Sequence, residues 1–122
     1  MTVDETLDIR TEDGVVIARL KGEIDLANAR AIGSLIAGTV TNDATGVVLD
    51  LAETSYLDSS GVHLVFDLHE RLRSRQQRLV LAIPAGSRIR RVLELVNVES
   101  VIPVLPDVEE AKSAAREPPP AE

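Results

Sequence analysis

Four runs dominated by branched aliphatic residues, each five or six long, recur along this 122-residue chain with helical periodicity between them. They are Val15–Leu20, Val47–Leu51, Leu79–Ile83 and Val101–Leu105. Apolar runs of that length are too short for helices and read as buried strands. After the first run, Lys21-Gly22-Glu23-Ile24-Asp25 reads as a polar break ending in a candidate N-cap, and the period then changes: Leu26, Ala29, Ile32, Ile36 and Val40 lie three or four apart. Val62, Val65, Phe66, His69 and Leu72 repeat the pattern, and so do Ile89, Val92, Leu93 and Val96 behind Ser87, a helix-capping residue. Each set predicts one face of a helix.

The ends complete the reading. Leu7–Arg10 is extended-looking and joins Val15–Leu20 through Thr11-Glu12-Asp13-Gly14, where Asp-Gly is a hairpin signal. Asp107–Arg116 reads as a short terminal helix. The predicted order is ββαβαβαβα, an α/β fold. Strands alternating with helices imply parallel crossovers, and the opening hairpin makes the sheet mixed. We expect about five short strands with helices packed mainly on one face. Residues 1–116 are expected to form one domain, and 117–122, with Pro118-Pro119-Pro120, a disordered or extended tail. The pattern does not reveal the strand order.

Composition removes several function classes. Tyr56 and Phe66 are the only aromatic residues and the net charge is −7. Single-stranded nucleic-acid binding wants aromatic platforms, and phosphate backbones or anionic lipids repel an acidic chain. Neither direct nucleic-acid nor membrane binding is expected. The chain has no cysteine, which excludes thiolate metal sites and thiol nucleophiles. His63 and His69 are six residues apart, about 240° around a helix, so they cannot chelate together from it. No phosphate-binding glycine loop is present. No cofactor or metal is therefore expected. Without a signal peptide or an apolar span, a cytoplasmic location is the expectation.

The densest polar cluster is Asp58-Ser59-Ser60-Gly61, between a strand-like run and a helix. One such residue would suffice as an N-cap. Three stand there, followed by a glycine that costs about 1 kcal/mol relative to alanine inside a helix. A glycine there would let another protein's backbone approach. A hydroxyl at a helix N-terminus is also a tolerant place for a phosphate, since free amides and the helix dipole favour the dianion. Ser59 and His63, four apart, also suggest a nucleophile and base, but a serine hydrolase needs an orienting carboxylate and an oxyanion hole as well. The G-x-S-x-G elbow is absent, so no enzyme is expected. The arginines at 71, 73, 75 and 78, and at 88, 90 and 91, read as solvated helix ends.

Val47-Val48-Leu49-Asp50-Leu51 followed by Tyr56-Leu57-Asp58-Ser59-Ser60-Gly61 resembles the signature of STAS domains, and more closely that of the bacterial anti-sigma factor antagonists. Gly22-Glu23-Ile24-Asp25 matches that family's second recurring element. The resemblance runs from about Leu7 to Leu105. It implies that Ser59 is the phosphorylation site, modified by an anti-sigma factor that is itself a serine kinase and restored by a PPM-type serine phosphatase. The unmodified form would bind the anti-sigma factor and free a sigma factor. Asp25 and Asp58, with Glu23, Ser60 and Gly61, would shape the docking surface. A monomer and a weak homodimer both stay open. The alternative is a STAS-like scaffold subunit, of a stressosome or a lipid-transport system, with no sigma-factor output.

Overall fold

The two longest strands occupy the middle of the sheet, because their Val, Ile and Leu residues must be covered on both faces. In the computed structural model, which describes residues 2–3 and 6–117, β3 (Val15–Ile24) pairs in parallel with β4 (Gly46–Leu57). On one side lie β2 (Leu7–Glu12), antiparallel to β3, and then β1 (Thr2–Val3), antiparallel to β2. On the other side β5 (Arg78–Ala82) and β6 (Val104–Leu105) continue the parallel pairing. The strand order is therefore the sequence order, β1 to β6. The sheet is mixed, as expected, with β1 as an additional strand.

That order decides where the helices go. Each crossover advances one strand in the same direction, and right-handed crossovers then deliver successive helices to one face. α1 (Ala29–Thr39), α2 (Ser59–Ser74) and α3 (Arg88–Leu95) cover this face with Ile32, Ile36, Leu64, Leu68, Leu72, Ile89 and Leu93. The opposite face, with Val15, Ile17, Val48 and Val80, is closed by α4 (Val108–Arg116) through Ala111 and Ala115.

Several elements depart from the sequence reading. Lys21–Ile24 does not break β3. Gly22 takes a left-handed φ of 81° beside a register shift, and the strand continues alongside Glu53–Leu57 of β4. α1 starts at Ala29, so Leu26 lies in the preceding turn and is 80% exposed. α2 buries Gly61, Leu64, Val65, Leu68 and Leu72, whereas Val62, Phe66 and His69 sit half-buried beside that stripe. Each fully buried aliphatic side chain contributes on the order of 1.5–3 kcal/mol. Two leucines more than offset the glycine's ~1 kcal/mol. α3 ends at Leu95 and leaves Val96 exposed. Val101 and Ile102 follow a short 3-10 turn, so the last strand shrinks to two residues. The Pro-rich tail lies, from Pro118 on, outside the described residues.

Two contacts fasten α4. Gly46 opens β4 where the helix passes, and a Cβ there would lie 2.6 Å from the Arg78 carbonyl oxygen and 2.8 Å from that of Ala115. Lys112 reaches the β2–β3 turn, donating to Glu12 at 3.2 Å and facing Asp13 at 3.4 Å. The Glu12 carboxyl is held below its ordinary value of 4.5, first by the Arg10 guanidinium and then by Lys112. Lys112 is raised above 10.5, chiefly by Glu12.

Gly46→Ala should therefore destabilise by about 1–3 kcal/mol or more, since the obstructing atoms are backbone; an unchanged urea midpoint would mean that α4 does not seat there. The ion cluster sets a pH dependence. Glu12 stabilises above pH 4.5, and that contribution is lost as pH falls through its lowered value. The Lys112 contribution is complete below pH 10.5 and is lost as pH climbs through its raised value. Lys112→Met should flatten both limbs of the plot of Tm against pH, and identical profiles for the two proteins would refute the clasp.

Candidate functional site

The candidate residues gather where β3 and β4 end and α1 and α2 begin. Both helices follow parallel strands, so their N-termini open at the same edge of the sheet, the edge where open α/β sheets bind ligands. Asp58 organises this edge. One oxygen of its carboxylate accepts from the amides of Ser60 at 2.8 Å and Gly61 at 3.0 Å, capping α2. The other accepts from the Leu26 amide at 3.1 Å, in the turn before α1. A single side chain thus caps one helix and pins the approach to the other.

The turn itself is closed by Asp25 and Asn28. Asp25 accepts from the Ala27 amide at 2.9 Å, while Asn28 accepts from the Asp25 amide at 3.0 Å and donates to the Glu23 carbonyl at 2.9 Å. Asp25 serves as a turn residue and not as the cap of a helix starting at Leu26. Glu23 is exposed, and its register partner on β4 is Tyr56, 51% exposed.

Ser59 is the first residue of α2 and is exposed. Among the described residues its hydroxyl makes no hydrogen bond, because Asp58 has taken the capping role. Ser60 is half-buried beside it. Gly61 corrects the sequence reading. It is buried, and a Cβ there would meet the Ile24 carbonyl oxygen at 2.9 Å and a Leu57 methyl at 2.7 Å. The glycine lets α2 sit against the end of β3 and offers no surface to a partner. Asp50, from the same sequence signature, is also internal, held by Arg19 at 3.4 Å and the Ala52 amide at 3.0 Å.

A groove of about 580 Å³ runs between α1 and α2. Leu26, Arg30 and Ser34 line one side, and Ser59, His63 and Asp67 the other. Its floor is where a Cβ on Gly33 would lie 2.7 Å from a Leu64 methyl. Ser59, His63 and Asp67 fall one turn apart on α2, but they form no nucleophile–base relay. Asp67 is engaged by Arg71 at 3.2 Å, and no hydrogen bond among the described residues links the serine, histidine and aspartate. Nor does any group of three His, Asp or Glu residues there sit where it could hold a metal.

Sequence reasoning overlooked Leu26 and Arg30. The helical spacing of Leu26 with Ala29 placed it in the core, although a turn exposes it. Nothing local to Arg30 relates it to a serine 29 positions later; only the packing of α1 on α2 does.

The STAS domain profile matches residues 6–111. BtrV of Bordetella bronchiseptica, by its name a candidate anti-sigma factor antagonist, is 34% identical over 102 residues, spanning 84% of this chain and 87% of BtrV. The crystal structure of an anti-sigma factor antagonist from Mycobacterium paratuberculosis superposes with a TM-score of 0.76 at 27% identity, covering 92% and 94% of the two chains. The Bacillus cell fate determinant SpoIIAA, in its phosphorylated form, gives 0.68 at 25% identity, covering 91% and 100%.

The division of labour between Asp58 and Ser59 can be tested by unfolding. Asp58→Ala removes a cap and a loop tie together and should cost about 1–2 kcal/mol. Ser59→Ala should stay within about 0.5 kcal/mol of the parent. Equal losses for the two variants in urea would show that the serine carries structural work.

Proposed function

The chain belongs to the STAS domain family, and we propose that within it the protein is an anti-sigma factor antagonist switched by phosphorylation of Ser59. In this reading the unmodified protein binds an anti-sigma factor that is also a serine kinase, and a sigma factor is released. The kinase ends the interaction by phosphorylating Ser59, and a PPM-type phosphatase restores it. The protein acts by binding and not by catalysis, in the cytoplasm, without contacting nucleic acid or membrane directly. Among the described residues, no helix is long and apolar enough to cross a membrane. Residues 1–116 would act as one domain.

The observation that carries this proposal is the unoccupied Ser59 hydroxyl beside a cap made by Asp58. A residue with no structural duty can gain a phosphate without the helix losing its N-terminal hydrogen bonds. The α2 dipole tolerates the dianion, and what changes is the docking surface. The names of the relatives and the phosphorylated state of SpoIIAA support the same view.

Glu23, Asp25, Asp58 and Ser60 rim the proposed docking surface, with Leu26 and Tyr56 as its exposed apolar anchors; Gly61 acts from beneath by setting the helix position. A phosphate adds about −1.5 to −2 charges beside Asp58. Against an acidic or apolar partner face that costs several kcal/mol, on the order of a hundredfold in affinity.

Intact-mass and site-mapping measurements on protein from its native cells should find a phosphatase-sensitive phosphate on Ser59. Calorimetric titration with the anti-sigma factor kinase of the same organism should show tight binding by the parent and Ser59→Ala. Ser59-phosphorylated protein should bind at least about a hundredfold more weakly. Absence of phosphate under every growth condition, or equal affinity of both forms, would replace the switch with the scaffold alternative.

A further inference from the structure

We propose that a phosphate on Ser59 is held by the chain itself, by Arg30 across the groove and His63 one turn along α2, so that it lies within the groove and does not project from it. The inference deepens the proposed function and rests on its reading of Ser59 as the modified residue.

Three features lead to it. Ser59, His63 and Arg30 line the same groove, at the end where the first turns of two parallel helices face each other. Ser59 and His63 are four apart on α2, the spacing at which helix side chains meet. Arg30, the second residue of α1, presents a planar guanidinium suited to bidentate contact with phosphate oxygens.

The two donors are also available. Neither Arg30 nor His63 has an ion pair or side-chain hydrogen bond among the described residues, whereas Arg71, the other basic residue of the groove, is taken by Asp67 at 3.2 Å. Neither first turn contains an acidic residue, so nothing there competes for Arg30.

The surrounding acids are already committed. Asp58 spends both oxygens on backbone amides, Asp25 accepts within its own turn, and Asp67 faces Arg71. They repel a phosphate, but none is placed to neutralise Arg30. A dianion attached at Ser59 therefore meets two uncommitted donors in a walled groove. It would be ordered by them, and they would be withdrawn from any partner.

The test uses the full chain with phosphoserine installed at position 59 by codon reassignment, followed by phosphorus NMR across pH 4–8. Free phosphoserine releases its second proton near pH ~6. Arg30→Gln should raise that midpoint by about one pH unit, and His63→Gln by a smaller amount, relative to the parent. Arg88→Gln, on α3 and outside the groove, removes the same formal charge as Arg30→Gln and serves as the control. A midpoint moved no further by Arg30→Gln or by His63→Gln than by Arg88→Gln would overturn the proposal. Because the phosphate is installed and not added by a kinase, the outcome is independent of whether Ser59 is modified in cells, which the mass measurement decides.

Discussion

The parallel pairing of β3 with β4 is the constraint from which the rest of the molecule follows. These strands are buried on both faces, so helices must lie above and below them, and parallel strands require crossovers that supply those helices. The pairing also outruns its neighbours. β2 reaches only Leu20 of β3, and β5 reaches only Asp50 of β4, yet the two central strands continue together to Ile24 and Leu57. The chain thus enters α1 and α2 from adjacent points at the end of a two-stranded extension. Two helix N-termini, a tight turn and a groove are consequences of that placement.

At this edge the stabilising residues and the candidate site residues are neighbours with separate surroundings. Asp58 joins both helix starts through one carboxylate, and Gly61 lets the backbone of α2 approach the Ile24 carbonyl. With those duties met, Ser59 is left exposed at a capped helix end. A charge added there alters the surface while leaving the core alone. In a domain whose stability is a small difference between large terms, that separation is what the proposed switch requires.

The signal lost in the sequence was lost for physical reasons. On α2, Val62, Phe66 and His69 have helical spacing as valid as that of Leu64 and Leu68, and only the position of the sheet selects the buried stripe. Leu26 matched the period of α1, but the turn's amides donate to the Asp25 and Asp58 carboxylates, and the helix stops short of it. Lys21–Ile24 looked too polar for a strand, because local composition cannot show that Glu53–Leu57 would pair with it. Gly61 was visible as an anomaly. Its cause, a carbonyl from a strand 37 residues earlier, was not.

By itself the sequence determined the alternation of strand and helix, the hairpin at Asp13-Gly14 and the cap at Ser87, and it marked Asp58-Ser59-Ser60-Gly61 as a polar cluster at a helix start. These are local properties: periodicity, turn chemistry and side-chain hydrogen bonding all act within a few residues. The tertiary structure alone decided the sheet order, the burial of Gly61, the opposite-face seat of α4 and the lining of one groove by Arg30, Ser59 and His63. Each depends on contacts between segments far apart in the chain, whose geometry is fixed only when the apolar faces are buried against one another.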